Sequence, residues 1–388
     1  MLPVNASHEY EERLKEQGVL NRLKRLLPLY NIKTGGKEMK KTLAIILAIV
    51  MIAAAFAGCG KAASGNAVKI AVLVPNADHG WTGAVMSYAQ EHAKEISAGG
   101  KYTVTVITST DATNQIQQVE DLIANKTATH VVILPQDNTL EATMKKLAAS
   151  GIPFTMFDRV IDSVAGDAFS AVKGDNNGIG AETAKRFIAN GMKPGDKILI
   201  IPGDNSSVPT MRNDGFFAVL KENGWSDAQI AEIESTDYTG WSRAKGHELF
   251  VNWLDSNTVE SIKATKWIFT HDDEIAMGIL EALKSDEISA EKKQAFYDAK
   301  VNLGTSSGLN EIYSVLKGIH QKDYSAEVAG LGDLFSVTYD PAMIKDAIND
   351  MVDFIEGKTP PKDHVIPVSV VDASNVDQFQ GFGDAVSK

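Results

Sequence analysis

The sequence predicts an α/β protein of two open lobes, each a parallel sheet with helices on both faces. Two observations carry this. Short, wholly apolar strand segments alternate with amphipathic helical segments along most of the chain. That is the pattern of parallel sheets buried on both faces. The alternation runs through twice, over a body of 330 residues once the first 58 are set aside. A body of that length exceeds what one core usually fills, so two lobes are expected.

The elements follow in order. Val68–Val74 is the first strand, and Thr82–Ile96 a helix with Val85, Ala89 and Ala93 on one stripe. Thr103–Thr108 is a strand, then Gln115–Ala124 a helix with Ile116, Val119 and Ile123 inward. His130–Leu134, the helix Leu140–Ala149, the break at Gly151–Ile152–Pro153 and the strand Phe154–Phe157 complete the first series. In the second series, Ala168–Val172 leads into Asp175–Asn190, and Lys197–Ile201 into Val208–Glu222. Ile230–Ser235 reads as a strand before Trp241–Asp255, and Trp267–Thr270 as one before Ile275–Ser285. Ala299–Gly304, Gly308–Gly318, Ala329–Tyr339 and Pro341–Glu356 follow, and the tail Lys362–Val371 is one more strand candidate, punctuated by Pro361 and Pro367.

Ahead of this body, Thr42–Ala57 is apolar throughout, follows Lys40–Lys41 and ends at Gly58–Cys59–Gly60. A basic start, a short apolar core and small residues before a break make an export signal. Cys59 is the single cysteine of the chain. After Phe56–Ala57–Gly58 it resembles the lipobox cysteine of bacterial lipoproteins. That resemblance implies cleavage before Cys59 and lipidation of Cys59. A transmembrane anchor is the rival reading, but the run falls short of the usual span of about 20 residues. Met39–Lys40–Lys41 is how such a signal begins. Residues 1–38 are therefore expected to be a mis-assigned extension, with a short cytoplasmic helix around Tyr10–Leu27 as the rival. Residues 39–58 are the signal peptide and 59–67 a flexible tether.

Of 38 basic and 50 acidic residues, nine and five precede Cys59. The remainder carries 29 against 45, a formal charge of −16. Such a surface repels nucleic acid and anionic lipid.

Ligands of open parallel sheets sit beyond the carboxyl ends of the strands. Polar and aromatic residues collect there: Asn76–Trp81 with Asp78 and His79, Gln136–Asn138 with Asp137, Asp158–Arg159, Pro202–Arg212, Thr236–Trp241 and His271–Asp273. Asp158 and Asp272 would accept from hydroxyls, and Arg159 and Arg212 would donate to ring and hydroxyl oxygens. Trp81 and Trp241 offer flat apolar faces to a sugar ring. The bland readings are a structural Asp158–Arg159 ion pair and a Trp241 that merely covers its helix.

Four stretches now bear on family. They are Ile152–Pro153 with Phe157–Asp158–Arg159, Gly174–Asp175–Asn176 with Gly178 and Gly180, Arg212–Asn213–Asp214–Gly215–Phe216, and His271 through Gly278. On their order and spacing, from roughly Val68 to Val371, the chain resembles the ribose/galactose-type periplasmic sugar-binding proteins of bacterial ABC importers. The resemblance implies a type I periplasmic-binding-protein-like fold, two open parallel-sheet α/β lobes joined by a three-strand hinge. It implies an N-terminal lobe of 66–174 plus 339–365 and a C-terminal lobe of 175–338 plus 366–388, with crossings near Gly174, Thr338 and Ile366.

It also implies ligand contacts from Trp81, His79, Asp158, Arg159, Arg212, Trp241 and Asp272, with Asp78, Asp137 and Thr338 as further candidates. The implied partners are a monosaccharide (pentose or hexose), an ABC permease in the membrane and the lipid anchor, for a monomer held outside the cytoplasm on the outer face of the cell membrane, as in a Gram-positive cell. Three departures stand out. Gly304–Thr305–Ser306–Ser307 replaces a strand-end aspartate, so either hydroxyls or Asp272 must supply that acceptor. Thr338–Tyr339–Asp340–Pro341 stands where relatives often have an amide before a proline. Thr82 replaces a second stacking aromatic.

Rival functions find little support. Asn76–Ala77–Asp78–His79–Gly80 is not the glycine pattern of a dinucleotide site. No P-loop and no activated nucleophile is legible, so no enzyme, cofactor or metal is expected; His271–Asp272–Asp273 has metal-ligand residue types, but aspartates after an apolar strand are also plain helix caps. A sugar-responsive repressor needs a basic DNA-binding segment that residues 10–27 are too short to provide. A sensor that presents ligand to a chemoreceptor or histidine kinase shares the fold and stays open.

Overall fold

The computed structural model describes residues 68–76 and 80–384. Cys59, the segments 1–38, 39–58 and 59–67, and the candidates Asp78 and His79 lie outside the described residues.

The chain opens with β1 (Val68–Pro75), α1 (Gly80–Ala98), β2 (Tyr102–Ser109), α2 (Ala112–Asn125), β3 (His130–Ile133), a 3-10 turn (Asn138–Leu140) and α3 (Glu141–Ala149). Next come β4 (Phe154–Phe157), α4 (Asp162–Ala165), β5 (Ser170–Gly174), α5 (Asn176–Ala189), β6 (Lys197–Ile201) and α6 (Ser207–Glu222). Then follow α7 (Asp227–Ala231), β7 (Glu234–Ser235), α8 (Arg243–Ser256), α9 (Val259–Ala264), β8 (Thr265–Thr270), α10 (Asp273–Lys284) and α11 (Ala290–Ala299). The last part holds β9 (Asn302–Ser307), α12 (Asn310–Leu316), α13 (Ser325–Gly330), β10 (Asp333–Thr338), α14 (Met343–Ile355), β11 (Asp363–Ile366), β12 (Val370–Val371) and a 3-10 turn (Val376–Gln378).

Two six-stranded sheets result, ordered β11-β5-β4-β3-β1-β2 and β12-β10-β9-β8-β6-β7. The first is parallel throughout. The second is parallel except for the antiparallel pair β10–β12. The apolar strands account for this: Ile70–Val74 and Ile198–Ile201 are wholly buried between helix layers. Each buried isoleucine, leucine or valine among them stabilises the fold by about 1.5–3 kcal/mol.

The chain passes between the sheets three times: from β5 to α5, from β10 to α14 and from β11 to β12. The crossings are tied together. Asp175 N donates to Ile366 O at 3.0 Å, and Thr338 N to Ser369 O at 2.9 Å.

Two expectations are corrected. Ile230–Ser235 is not one strand: Ser226 and Gln229 form a capping box that starts α7, which leaves only Glu234–Ser235 to pair with β6. Lys362–Val371 is two strands, one on each sheet, parted around Pro367. Proline cannot donate to a ladder, so the strand breaks where the chain changes sheets.

Candidate functional site

Strand ends from both sheets converge on one cavity. The structure brings Trp81, Asp158, Arg159, Arg212, Trp241 and Asp272 together around it, and Val208 and Tyr339 complete the lining. Its free volume is small, about 30 Å³.

Asp158 follows β4 with φ +59°, where the chain turns sharply after Phe157. Aspartate tolerates this left-handed geometry better than most residues. Its carboxylate accepts from the Tyr339 hydroxyl. Burial pushes the Asp158 carboxyl up, against the opposing pull of Arg159 and the Tyr339 hydrogen bond. Arg159 donates to Gln136 O and lies 3.7 Å from Asp204 Oδ2 in the other lobe. Its Nε is buried and has no acceptor among the described residues. Asp158 and Arg159 thus bind different partners, and the simple ion pair between them is not formed.

Arg212 is 2% exposed on α6. Nε donates to Asn176 Oδ1 at 3.0 Å, and Nη1 donates to Ser306 Oγ at 3.1 Å and to His271 O. Its guanidinium lies 5.4 Å from the Trp241 ring and 5.0 Å from the Tyr339 ring, a cation–π arrangement. His271 behind it is held neutral by burial and by the nearby Arg212 charge.

The glycines expected at this crossing have a physical role. A Cβ on Gly180 would lie 1.8 Å from Arg212 O, and one on Gly215 would lie 1.9 Å from Asn177 O. Only glycine lets α5 and α6 approach this closely, and the approach sets the position of Arg212.

Trp241 precedes α8 with φ +63°. A bulky residue rarely adopts that conformation, and such strain concentrates at functional sites. Buried Thr239 holds it: Thr239 Oγ1 accepts from Trp241 N at 3.2 Å and donates to Pro202 O at 2.9 Å. The indole lies against Gly203, where a Cβ would sit 2.3 Å from the ring. Trp81, on α1, donates from Nε1 to Tyr339 O at 2.8 Å and stacks on Phe157 at 6.2 Å.

Asp272 caps α10 by accepting from Glu274 N at 2.8 Å. Burial first, and then neighbouring Asp273, push its carboxyl to about 8. Thr305, Ser306 and Ser307 lie inside β9, and Ser306 braces Arg212 from behind. Of the two acceptors the sequence left open, Asp272 is the one that lines the cavity.

Two candidates stand elsewhere. Asp137 is exposed and caps a 3-10 turn through Thr139 N at 2.8 Å; its loop meets the site through the Gln136 carbonyl. Thr338 sits at the second crossing, with its Oγ1 accepting from Ser369 N at 2.9 Å. Tyr339, Val208, Asp204 and Asn176 stand in the sequence only within longer stretches, none of them as a proposed ligand contact. For Tyr339 a signal existed: a large aromatic directly after a hinge strand and before Asp340–Pro341.

Carboxylates, guanidinium donors and aromatic faces from both lobes suit a compact neutral ligand with many hydroxyls. Among the described residues no group of three or more His, Cys, Asp or Glu is placed to hold a metal ion.

Known proteins agree with this architecture. The ribose import binding protein of Bacillus subtilis (strain 168) is 30% identical over 194 residues, 50% of this chain and 58% of that relative, so the match spans less than two thirds of its length. The fructose import binding protein of Bifidobacterium longum (strain NCC 2705) is 20% identical over 350 residues, 87% of this chain and 96% of the relative. In three dimensions the chain is similar to the Caulobacter myo-inositol binding protein bound to myo-inositol. The TM-score is 0.64 at 19% identity, covering 82% of this chain and 98% of that one. The fold is the type I periplasmic-binding-protein-like one, two α/β lobes with parallel sheets. A family model described as "Periplasmic binding protein domain" matches residues 70–356, and the chain belongs to that family.

Proposed function

We propose that this chain is the solute-binding lipoprotein of an ABC sugar importer. It captures a monosaccharide between its lobes and delivers it to a membrane permease. The observation that carries the reading is the cavity lining: Asp158 and Arg159 from one lobe face Arg212, Trp241 and Asp272 from the other. Arg159 Nε is a buried donor without an acceptor among the described residues, and a ligand oxygen would supply one. Buried donors left unmatched are costly, so the site favours an occupant that satisfies them. The ribose and fructose importers' binding proteins among the relatives support the same substrate class.

Calorimetry against a panel of pentoses, hexoses and inositol tests the function. Binding should be micromolar or tighter, on the order of −8 kcal/mol. Arg212→Ala should weaken it by about 2–5 kcal/mol, because buried acceptors lose their partner. Binding of amino acids or oligopeptides with no response to any sugar would overturn the reading.

The lipid anchor belongs to the same proposal. Cys59 should incorporate a fatty-acid label and hold the protein on the outer face of the cell membrane, and Cys59→Ala should abolish the label. Undiminished label in that variant would remove the anchor from the proposal.

A further inference from the structure

Tyr339 belongs to the hinge and to the cavity at once. It follows β10 at the second crossing, and its backbone N donates to Ser307 O at 3.1 Å. Its ring is held from several sides and lines the cavity with what remains. The hydroxyl donates to Asp158 and accepts from Asn176 Nδ2 at 3.2 Å. Its carbonyl accepts from Trp81 Nε1. One edge presses on Gly174, at the first crossing, where a Cβ would lie 2.2 Å from the ring. The Arg212 guanidinium lies 5.0 Å from the ring centre and the Trp81 ring 5.5 Å. A side chain so held has no second rotamer to move into.

We infer that Tyr339 is a specificity-determining residue that restricts the cleft to five-carbon sugars, an inference that rests on the monosaccharide reading. The remaining space is about 30 Å³, room for only a few waters. A ligand must therefore gain its room by a slight parting of the lobes, well short of the open state. Rotation about a hinge displaces the outer cleft most and the crossings least. The wall formed by Tyr339, beside the crossings, therefore moves least as the site opens. A hydroxymethyl group pointing toward the crossings meets that wall. Tyr339 also takes up one of the acceptor positions of Asp158 Oδ1, which leaves fewer for sugar hydroxyls.

The test uses three sugar pairs that differ only by a hydroxymethyl group: D-ribose with D-allose, D-xylose with D-glucose, and L-arabinose with D-galactose. Calorimetry on the wild type should show at least one pentose bound about tenfold or more tighter than its hexose, a difference of about 1.4 kcal/mol. Tyr339→Phe keeps the wall and should keep that ratio. Tyr339→Ala removes the wall and should reduce the ratio to about threefold or less. Tyr339→Leu, a milder truncation, provides the same comparison should the alanine variant fail to melt cooperatively. Equal binding within each pair by the wild type overturns the inference while the monosaccharide function stands. So does an unchanged ratio in a folded Tyr339→Ala or Tyr339→Leu. No heat from any of the six sugars overturns the size restriction; the monosaccharide reading falls with it only if the wider sugar panel is also silent.

Discussion

Asp158 and Trp241 face the cavity from opposite lobes, and both are in the left-handed region, at φ +59° and +63°. Such conformations cost about 1–3 kcal/mol each unless the surroundings hold them. Here the Tyr339 hydroxyl and Thr239 do so. The residue types at the site were legible in the sequence because strand ends mark where ligands meet open sheets. Their partners were not legible: Asp158 with Tyr339, Arg159 with Asp204 and Arg212 with Asn176 are pairings across long stretches of chain. Asp272 gives a test at this scale. Its carboxyl lies at about 8 in the fold against an ordinary 3.8. Over that window the folded state keeps the proton and the unfolded chain loses it. The stability this group contributes is complete below the ordinary value and is lost as pH rises through the folded one. Asn caps a helix as well as Asp, so Asp272→Asn should preserve α10 and abolish this loss. The melting temperature of the wild type, measured against Asp272→Asn, should fall steadily from about pH 5 to about pH 8. A constant offset between the two proteins over that range would show that Asp272 ionises normally.

Helices and strands with strong apolar patterns matched their expected positions, β4 and β6 to the residue. Elements held mainly by caps were missed or misread. The helix α11 has Ala295, Phe296 and Ala299 as its buried residues, and its other positions are mostly polar, so its periodicity is weak. The helix α7 buries none of its residues and exists through its capping box. The apolar residues of the tail mark it as strand without telling which sheet receives it. The contact between α5 and α6 is half legible: the sequence shows the glycines, and only the structure shows their reason. That contact yields a prediction of unusual sign. Gly→Ala in a helix interior ordinarily stabilises by about 1 kcal/mol. In Gly180→Ala the new methyl meets the Arg212 carbonyl, which is backbone and has no rotamer to yield. The variant should be less stable by about 1–3 kcal/mol in denaturant unfolding. Its sugar affinity should fall with stability because α6 carries Arg212. A stabilised Gly180→Ala protein would show that the two helices have room to separate.

At the scale of the whole molecule, the lobes touch away from the cavity as well as across it. Gly80, the first residue of α1, meets Glu274, Leu309 and Phe382 of the other lobe; a Cβ there would lie 3.0 Å from Glu274 Oε1 and 3.9 Å from carbons of Leu309 and Phe382. Glu274 cannot easily retreat, because Arg243 Nε holds its other oxygen at 2.7 Å and the same guanidinium also binds Glu311. The carboxylate also stands at the positive end of a 19-residue helix with no acidic residue in its own first turn. These contacts form only when the lobes are together, so they bias the closed state without touching the ligand. Small-angle scattering should therefore show a smaller radius of gyration for the wild type with saturating sugar than without it. An unchanged radius would argue against hinge closure. Gly80→Val separates closure from ligand contact. Gly80 does not line the cavity, yet the added carbons press on Glu274 whenever the lobes meet. Apparent affinity scales with the fraction of molecules able to close. Sugar binding by Gly80→Val should weaken about tenfold, about 1.4 kcal/mol, with a larger radius of gyration than the wild type at saturating sugar. Melting without ligand should be nearly unchanged, because each lobe keeps its own core. If Gly80→Val binds sugar as tightly as the wild type does, the Gly80–Glu274 contact follows closure and does not help to drive it.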